Sequence, residues 1–220
     1  MFWNPDTGDH GLLFNPLKSC VVPRPIGWIT TLKPDGRVNL APYSQFALLG
    51  FEPGYVGFSG SVHPTDLRRK DSIEHAERTG EFVYNMATLE HIEHVNASSQ
   101  IIDSETSELD ACGLTAAPSI CVSTPRLLEA PVSLECRVHS VVMLPGNTRA
   151  SAHWLVIGRV VGVHIDDAVI GADGKLDIAR IKPVARLGYA DYTWVDKVSE
   201  LPLINPALAE RRKFGFYGGR

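Results

Sequence analysis

Long apolar runs are absent from this chain of 220 residues. No stretch approaches the roughly 20 consecutive residues that a membrane-spanning helix needs, so no membrane partner is expected. The opening MFWNPDTGDH has neither the basic head nor the apolar centre of a secretory leader. Cysteine is scarce as well. Cys20, Cys112, Cys121 and Cys136 include no Cys-x-x-Cys pair, which disfavours a zinc site or a dithiol redox centre. Four reduced thiols in a cytoplasmic protein are expected instead. A long basic run is also missing, and with a formal charge of -4 the chain has no electrostatic footprint for nucleic acid.

Signature motifs are equally few. No G-x-G-x-x-G fingerprint, P-loop or kinase set occurs, so a nicotinamide nucleotide would not sit in a Rossmann domain. Gly57-Phe58-Ser59-Gly60 is not the G-x-S-x-G elbow of a serine hydrolase. Glu90-His91-Ile92-Glu93-His94 matches neither order of the zinc-protease helix motifs, so His91 and His94 are read as one polar helix face and no metal is expected. Asn96-Ala97-Ser98 fits a glycosylation acceptor, which has meaning only in a secreted protein.

What the chain does contain is apolar content of 44%, enough at this length for one well-buried domain. Residues 22–44, VPRPIGWITTLKPDGRVNLAPYS, concentrate constrained residue types. Pro23 and Pro25 fix two backbone angles and remove two amide donors, so the chain enters extended at a sheet edge. The β-branched Ile29, Thr30 and Thr31 mark a strand, and Pro34-Asp35-Gly36 supplies a reversal. Residues 38–40 return beside it, and this second strand is expected to break at Ala41-Pro42. Hydroxyls and an amide (Thr30, Thr31, Asn39, Ser44) crowd that end, which suits a polar ligand. Another strand, over residues 55–58, ends in Ser59-Gly60-Ser61, where glycine permits close approach to the backbone.

Arg68, Arg69 and Lys70 lead into Asp71, which stands three residues before Glu74 as in a capping box, and the helix it begins ends at Gly80. Three cations beside a helix N-terminus form either a phosphate site or a solvated basic surface. Residues 82–86 read as a buried strand, Thr88 as the cap of a helix presenting Leu89, Ile92 and Val95, and residues 99–108 as a polar loop. Asp110 to Leu114 reads as a helix end stopped by Gly113. In residues 131–142, Val132, Leu134, Cys136 and Val138 alternate with Ser133, Glu135, Arg137 and His139, as in a half-buried strand with one polar face and Cys136 turned inward as a small apolar residue. Residues 153–165 pair back, with Gly158 and Gly162 marking bends.

These blocks resemble the flavin reductase-like family of FMN-binding split-barrel proteins. Its opening motif stands here as Pro23-Arg24-Pro25-Ile26, Thr30-Thr31, Asp35-Gly36 and Asn39-Leu40-Ala41-Pro42-Tyr43-Ser44, and its K-D-T and T-G-E-F blocks as Lys70-Asp71-Ser72 and Thr79-Gly80-Glu81-Phe82. Ser72 replaces threonine, and Tyr189 stands where the closing segment has a second glycine. The resemblance implies a mainly β, antiparallel split β-barrel of Greek-key type with short peripheral helices over residues 21–196, flanked by an irregular arm (1–20) and a tail (197–220).

It also implies bound FMN, with FAD as the alternative, and NAD(P)H as co-substrate. The cofactor shell would comprise Thr30, Thr31, Asn39, Ala41, Pro42, Tyr43, Ser44, Ser59, Gly60, Ser61, Arg69, Lys70, Asp71 and Ser72. His153, spaced from Gly158 as in the family's G-D-H block but preceded by Ser151-Ala152, is either a nicotinamide-side catalytic residue or a structural one. A homodimer with flavin near its interface, and a monooxygenase or other electron acceptor, complete the implied partners. An FMN-binding electron carrier reduced by another protein, and an enzyme like pyridoxamine-phosphate oxidase, are the alternative functions.

Overall fold

A computed structural model describes residues 1–99 and 108–201. The strands are β1 (Arg24–Pro25), β2 (Gly27–Leu32), β3 (Val38–Tyr43), β4 (Phe46–Phe51), β5 (Gly54–Gly60), β6 (Glu81–Met86), β7 (Ala116–Ala117), β8 (Arg126–Leu127), β9 (Val132–Leu144), β10 (His153–Ile165), β11 (Val184–Gly188) and β12 (Asp191–Trp194). The α-helices are α1 (Leu17–Cys20), α2 (Asp71–Thr79), α3 (Ile92–Ala97), α4 (Glu108–Ala111) and α5 (Ile178–Ile181). Among the described residues no helix is long and apolar enough to cross a membrane.

Seven strands form one antiparallel sheet in the order β3-β2-β6-β9-β10-β5-β4. Its two edges, β3 and β4, are consecutive in the chain and separated only by Ser44 and Gln45. Such a short link forces the sheet to curl until its edges approach, and the Ser59 amide on β5 donates to the Gln45 carbonyl at 2.8 Å. The result is the antiparallel split β-barrel implied by the sequence. A small sheet, β1-β11-β12, flanks it.

Strand alternation sends two sets of side chains to opposite faces. Ile29, Phe58, Phe82, Cys136 and Val156 meet inside the barrel, where the Phe58 and Phe82 rings make an edge contact at 5.1 Å. Burial pushes the Cys136 thiol far above its ordinary pKa, so it packs as a small apolar group. A Cβ on Gly158 would lie 2.4 Å from the Phe82 ring, and the β9-β10 ladder bulges there as the sequence led one to expect. On the outer face, Trp28 and Leu40 pack with Val95, Leu109, Leu114 and Leu127, beneath α3, α4 and a strap formed by residues 115–131.

That strap corrects the expectation of a polar face on β9 for its first half only, since Arg137 and His139 are exposed as expected. Ser133 and Glu135 are fully buried, because the strap covers the face they occupy. Glu135 accepts hydrogen bonds from the amides of Ile120 (2.8 Å), Cys121 (2.5 Å) and Val122 (3.2 Å) and is bonded to Nε2 of His164. Burial acts to raise its carboxyl pKa, yet His164 and the strap amides outweigh that and hold it below the ordinary value. Asn85 accepts from the Leu127 amide at 2.9 Å and the Ser133 hydroxyl at 3.0 Å. Thr30 donates to the Pro125 carbonyl at 2.7 Å.

Four further expectations change. β3 runs on through Ala41 and Pro42, because proline's missing amide is tolerated where a strand has a partner on one side only. Lys70, not Asp71, occupies the N-cap of α2, with no side-chain cap, since the Asp71 carboxylate is bonded to Arg68. Thr88 precedes a 3-10 turn and directs its hydroxyl to His91 at 3.2 Å rather than to a backbone amide. The arm contains α1, which the Ser19 hydroxyl fastens to the Leu187 carbonyl at 3.0 Å. Most of the 99–108 loop and residues 202–220 of the tail lie outside the described residues.

Removing the Glu135 carboxylate leaves three strap amides without an acceptor. Glu135→Ala is expected to lower the unfolding free energy by about 3 to 5 kcal/mol in urea titrations, and to speed hydrogen exchange at residues 120–122. Because the folded-state pKa is depressed, the stabilisation is present above the ordinary value of 4.5 and is lost as pH falls below it. Wild type should therefore lose more stability than Glu135→Gln across that acid range.

Candidate functional site

Where the first turn of α2 faces the edge strand β3, the surface opens into a cavity of about 450 Å³. Asn39, Ala41, Pro42 and Tyr43 line it from β3, Lys70, Asp71, Ser72 and His75 from α2 and its cap, His63 and Arg68 from the intervening turn, and Lys33 and Arg37 from the first hairpin. Backbone pairing shapes the turn. Val62 bridges Arg69, and the His63 amide donates to the Arg68 carbonyl at 2.8 Å, which brings His63 back over the start of α2. The Asn39 carboxamide connects the walls by donating to the Thr31 hydroxyl at 3.1 Å and the Ser72 hydroxyl at 2.9 Å.

The cavity is cationic and already partly paired. Arg68 bonds Asp66 at 3.0 Å and also Asp71. Burial acts to raise the Asp71 carboxyl, but the Arg68 hydrogen bond and charge, with His63 and His75, hold it below its ordinary pKa. Burial depresses both histidines below the usual range; the pull of Asp71 opposes this, while Arg68 adds to the depression at each. His63 is 5% exposed, and its Nε2, 3.5 Å from Asp71, is buried without a hydrogen-bond partner. His75 lies 3.4 Å from the Thr31 hydroxyl. Burial also pushes the Tyr43 phenol far above its ordinary pKa, partly offset by a hydrogen bond with Ser72. The leading amides of α2 and the Lys70 side chain complete an electropositive pole. Among the described residues the Lys70 ammonium has no ion-pair or hydrogen-bond partner.

Of the residues singled out from the sequence, Asn39, Ala41, Pro42, Tyr43, Lys70, Asp71 and Ser72 line this cavity. Thr31 supports it through Asn39, whereas Thr30 projects to the other face of β2, beneath the strap. Arg69 turns along the helix to Glu77 at 2.6 Å, with its guanidinium 6.0 Å from the Trp154 ring centre. A Cβ on Gly60 would meet Tyr43 at 2.8 Å and Ile73 at 3.0 Å, so the missing side chain there makes room for packing. Ser44, Ser59 and Ser61 lie at the adjoining ends of β3 and β5. His153 begins β10 beside Trp154, which pairs with Gly60, placing it at the same end of the sheet.

Sequence reasoning missed His63 and His75 as site residues. His75 follows Asp71 by four positions on a helix, so its place on the same face was readable from spacing. His63 reaches the site only through the backbone bridge, which leaves no mark in residue type. A second hollow of about 630 Å³, lined by residues that include Thr88, Arg126, Glu129, His164 and Arg180, contains none of the expected site residues.

The profile of the "Flavin reductase like domain" matches residues 19–177. The chain is 36% identical over 210 residues to an uncharacterized protein of Halalkalibacterium halodurans, covering 96% of this chain and 99% of that one. Nitrilotriacetate monooxygenase component B from Bacillus cereus superposes with a TM-score of 0.83 at 27% identity, over 91% of this chain and 98% of that one. An FMN-binding protein from Thermus thermophilus shares the fold, with a TM-score of 0.69 at 16% identity, covering 92% of this chain and all 100% of that one. A domain match over residues 19–177, most of the barrel, makes this chain a member of the flavin reductase-like family.

Proposed function

We propose that the cavity at the start of α2 binds FMN and that the protein is an NAD(P)H-dependent flavin oxidoreductase. The observation that carries this reading is the opposition of the Lys70-Asp71-Ser72 helix start to the Asn39-to-Tyr43 edge across one cavity. Leading helix amides and an unpaired ammonium suit a phosphate group. His63, whose buried Nε2 lies 3.5 Å from Asp71 without a formed hydrogen bond, stands in the same wall and can answer an anionic ligand by taking up charge. As an edge strand, β3 has backbone groups without a strand partner on one side, and these suit the polar rim of an isoalloxazine ring.

The flavin supplies acceptance of hydride from the nicotinamide, so the protein needs no general base for that step. Lys70 and the amides of Asp71 and Ser72 would hold the phosphate, and the unpaired backbone groups of β3 would position the ring. Serines 44, 59 and 61 would contact the ribityl chain or ring rim, and His153 at the same sheet end would orient the nicotinamide. The exposed Leu48 (55%), Leu49 (51%) and Phe51 (80%) on edge strand β4 support a homodimer, since an exposed apolar edge favours pairing with a second chain. The similarity to a monooxygenase component supports delivery of reduced flavin or electrons to another protein. An FMN-binding electron carrier is the competing reading, and nicotinamide reactivity separates the two.

The protein is expected to bind FMN in equilibrium dialysis and to bleach on anaerobic addition of NADH or NADPH. Bleaching by dithionite alone would instead select the carrier. Lys70→Ala should weaken FMN binding about 10- to 100-fold, with a shallower salt dependence than wild type. His153→Ala should slow anaerobic bleaching about 10- to 100-fold while leaving FMN affinity within about twofold; an unchanged rate would return His153 to a structural role.

A further inference from the structure

We propose that His63 is the residue that selects a flavin ending in a phosphate monoester, taking up a proton as that group enters the cavity and then bridging it to Asp71. This rests on the reading of the cavity as a flavin site. His63 lies in the cavity wall, is 5% exposed, and has a buried ring nitrogen with no hydrogen-bond partner. A buried polar atom in that state costs free energy unless a ligand or water meets it.

The surrounding charges explain why a histidine is needed. Asp71 stands 3.5 Å from Nε2 and would repel a phosphate placed against the helix start. Arg68, the cation on the same turn, is already bonded to Asp66 and Asp71. The charges of Lys70 and Asp66 also act on His63, and Lys33, Asp35, Arg37 and His75 line other parts of the cavity. With Arg68 and Lys70 close and burial resisting charge, the ring is held below its ordinary pKa in the free protein, which favours the neutral form. A phosphate monoester carries a charge of about −1.5 to −2 near neutral pH. Its arrival beside Asp71 gathers two anions around one imidazole, and the protonated ring, with two N–H donors, would give Nε2–H to Asp71 and Nδ1–H to the phosphate. Riboflavin brings no anion. The diphosphate of FAD brings no terminal monoester. His75 is placed differently, since its ring already has the Thr31 hydroxyl as a neighbour.

The test uses the full-length protein. FMN, FAD and riboflavin are titrated by calorimetry at several values from about pH 8 to about pH 6.5, in buffers of different ionisation enthalpy. Wild type is expected to take up about one proton per FMN and none with riboflavin, and to bind FMN more tightly as pH falls through this range. His63→Gln should weaken FMN about 10-fold or more, abolish the uptake and leave riboflavin unchanged, whereas His75→Gln should retain the uptake. Tight FMN binding by wild type without proton uptake overturns the inference and leaves the flavin site standing; this readout needs no variant to fold. An unchanged preference for FMN over riboflavin in His63→Gln does the same. Failure of wild type to bind any flavin removes the underlying reading itself.

Discussion

The Asn39 carboxamide connects the two halves of the site directly. β3 has a hydrogen-bonded neighbour on one side only, and α2 is a separate nine-residue helix, so nothing in the main ladder fixes one against the other. Asn39 Nδ2 bonds both the Thr31 and Ser72 hydroxyls, and it is 3% exposed. In that dry setting a lost bond leaves polar atoms unsatisfied and costs more than it would at the surface. Gly60 serves the same contact from beneath by allowing Tyr43 and Ile73 to pack over it. The distance across the cavity is therefore set by small, buried, hydrogen-bonded groups, as preorganised binding requires.

Behind the site, the sheet is stiffened by a device that does not touch the cavity. The outer face of β2, β6 and β9 carries polar residues, four of which take backbone groups of the strap: Thr30 the Pro125 carbonyl, Glu81 the Ser123 amide, Asn85 the Leu127 amide and Glu135 the amides of residues 120–122. An irregular segment can lie over a buried sheet only if its amides and carbonyls find such partners. Covering both faces of β2 holds its other face, with Thr31, in register with Asn39.

What the sequence disclosed follows the range of the interaction. The β2-β3 hairpin, the long β9-β10 pair and the Gly80 helix stop rest on residues a few positions apart, and their chemistry is visible in composition and period. The alternation on β9 is visible as a period, but the burial of its first half is not. Glu135 and Ser133 look solvent-facing until a strap more than ten positions away is laid over them. Pro42 was misread for the same reason, because only the sheet order reveals that β3 is an edge. At the site, the Asn39-to-Tyr43 and Lys70-to-Ser72 segments were legible from the motif. His63 was not, since its position follows from the Val62-Arg69 bridge.

The charge balance of the cavity bears on its chemistry. A pocket of fixed cations alone would hold any anion and would bind its own counter-ions in the ligand's absence. Here Arg68 is neutralised by Asp66 and Asp71, and burial pushes both imidazoles below their ordinary pKa. The free site is consequently less positive than its residue types imply. On the proposal for His63, protonation would add positive charge only when an anion strong enough to offset desolvation arrives. Such a site discriminates by the charge of its ligand as well as by its shape, and it does so with groups that the surrounding turn and helix already hold in place.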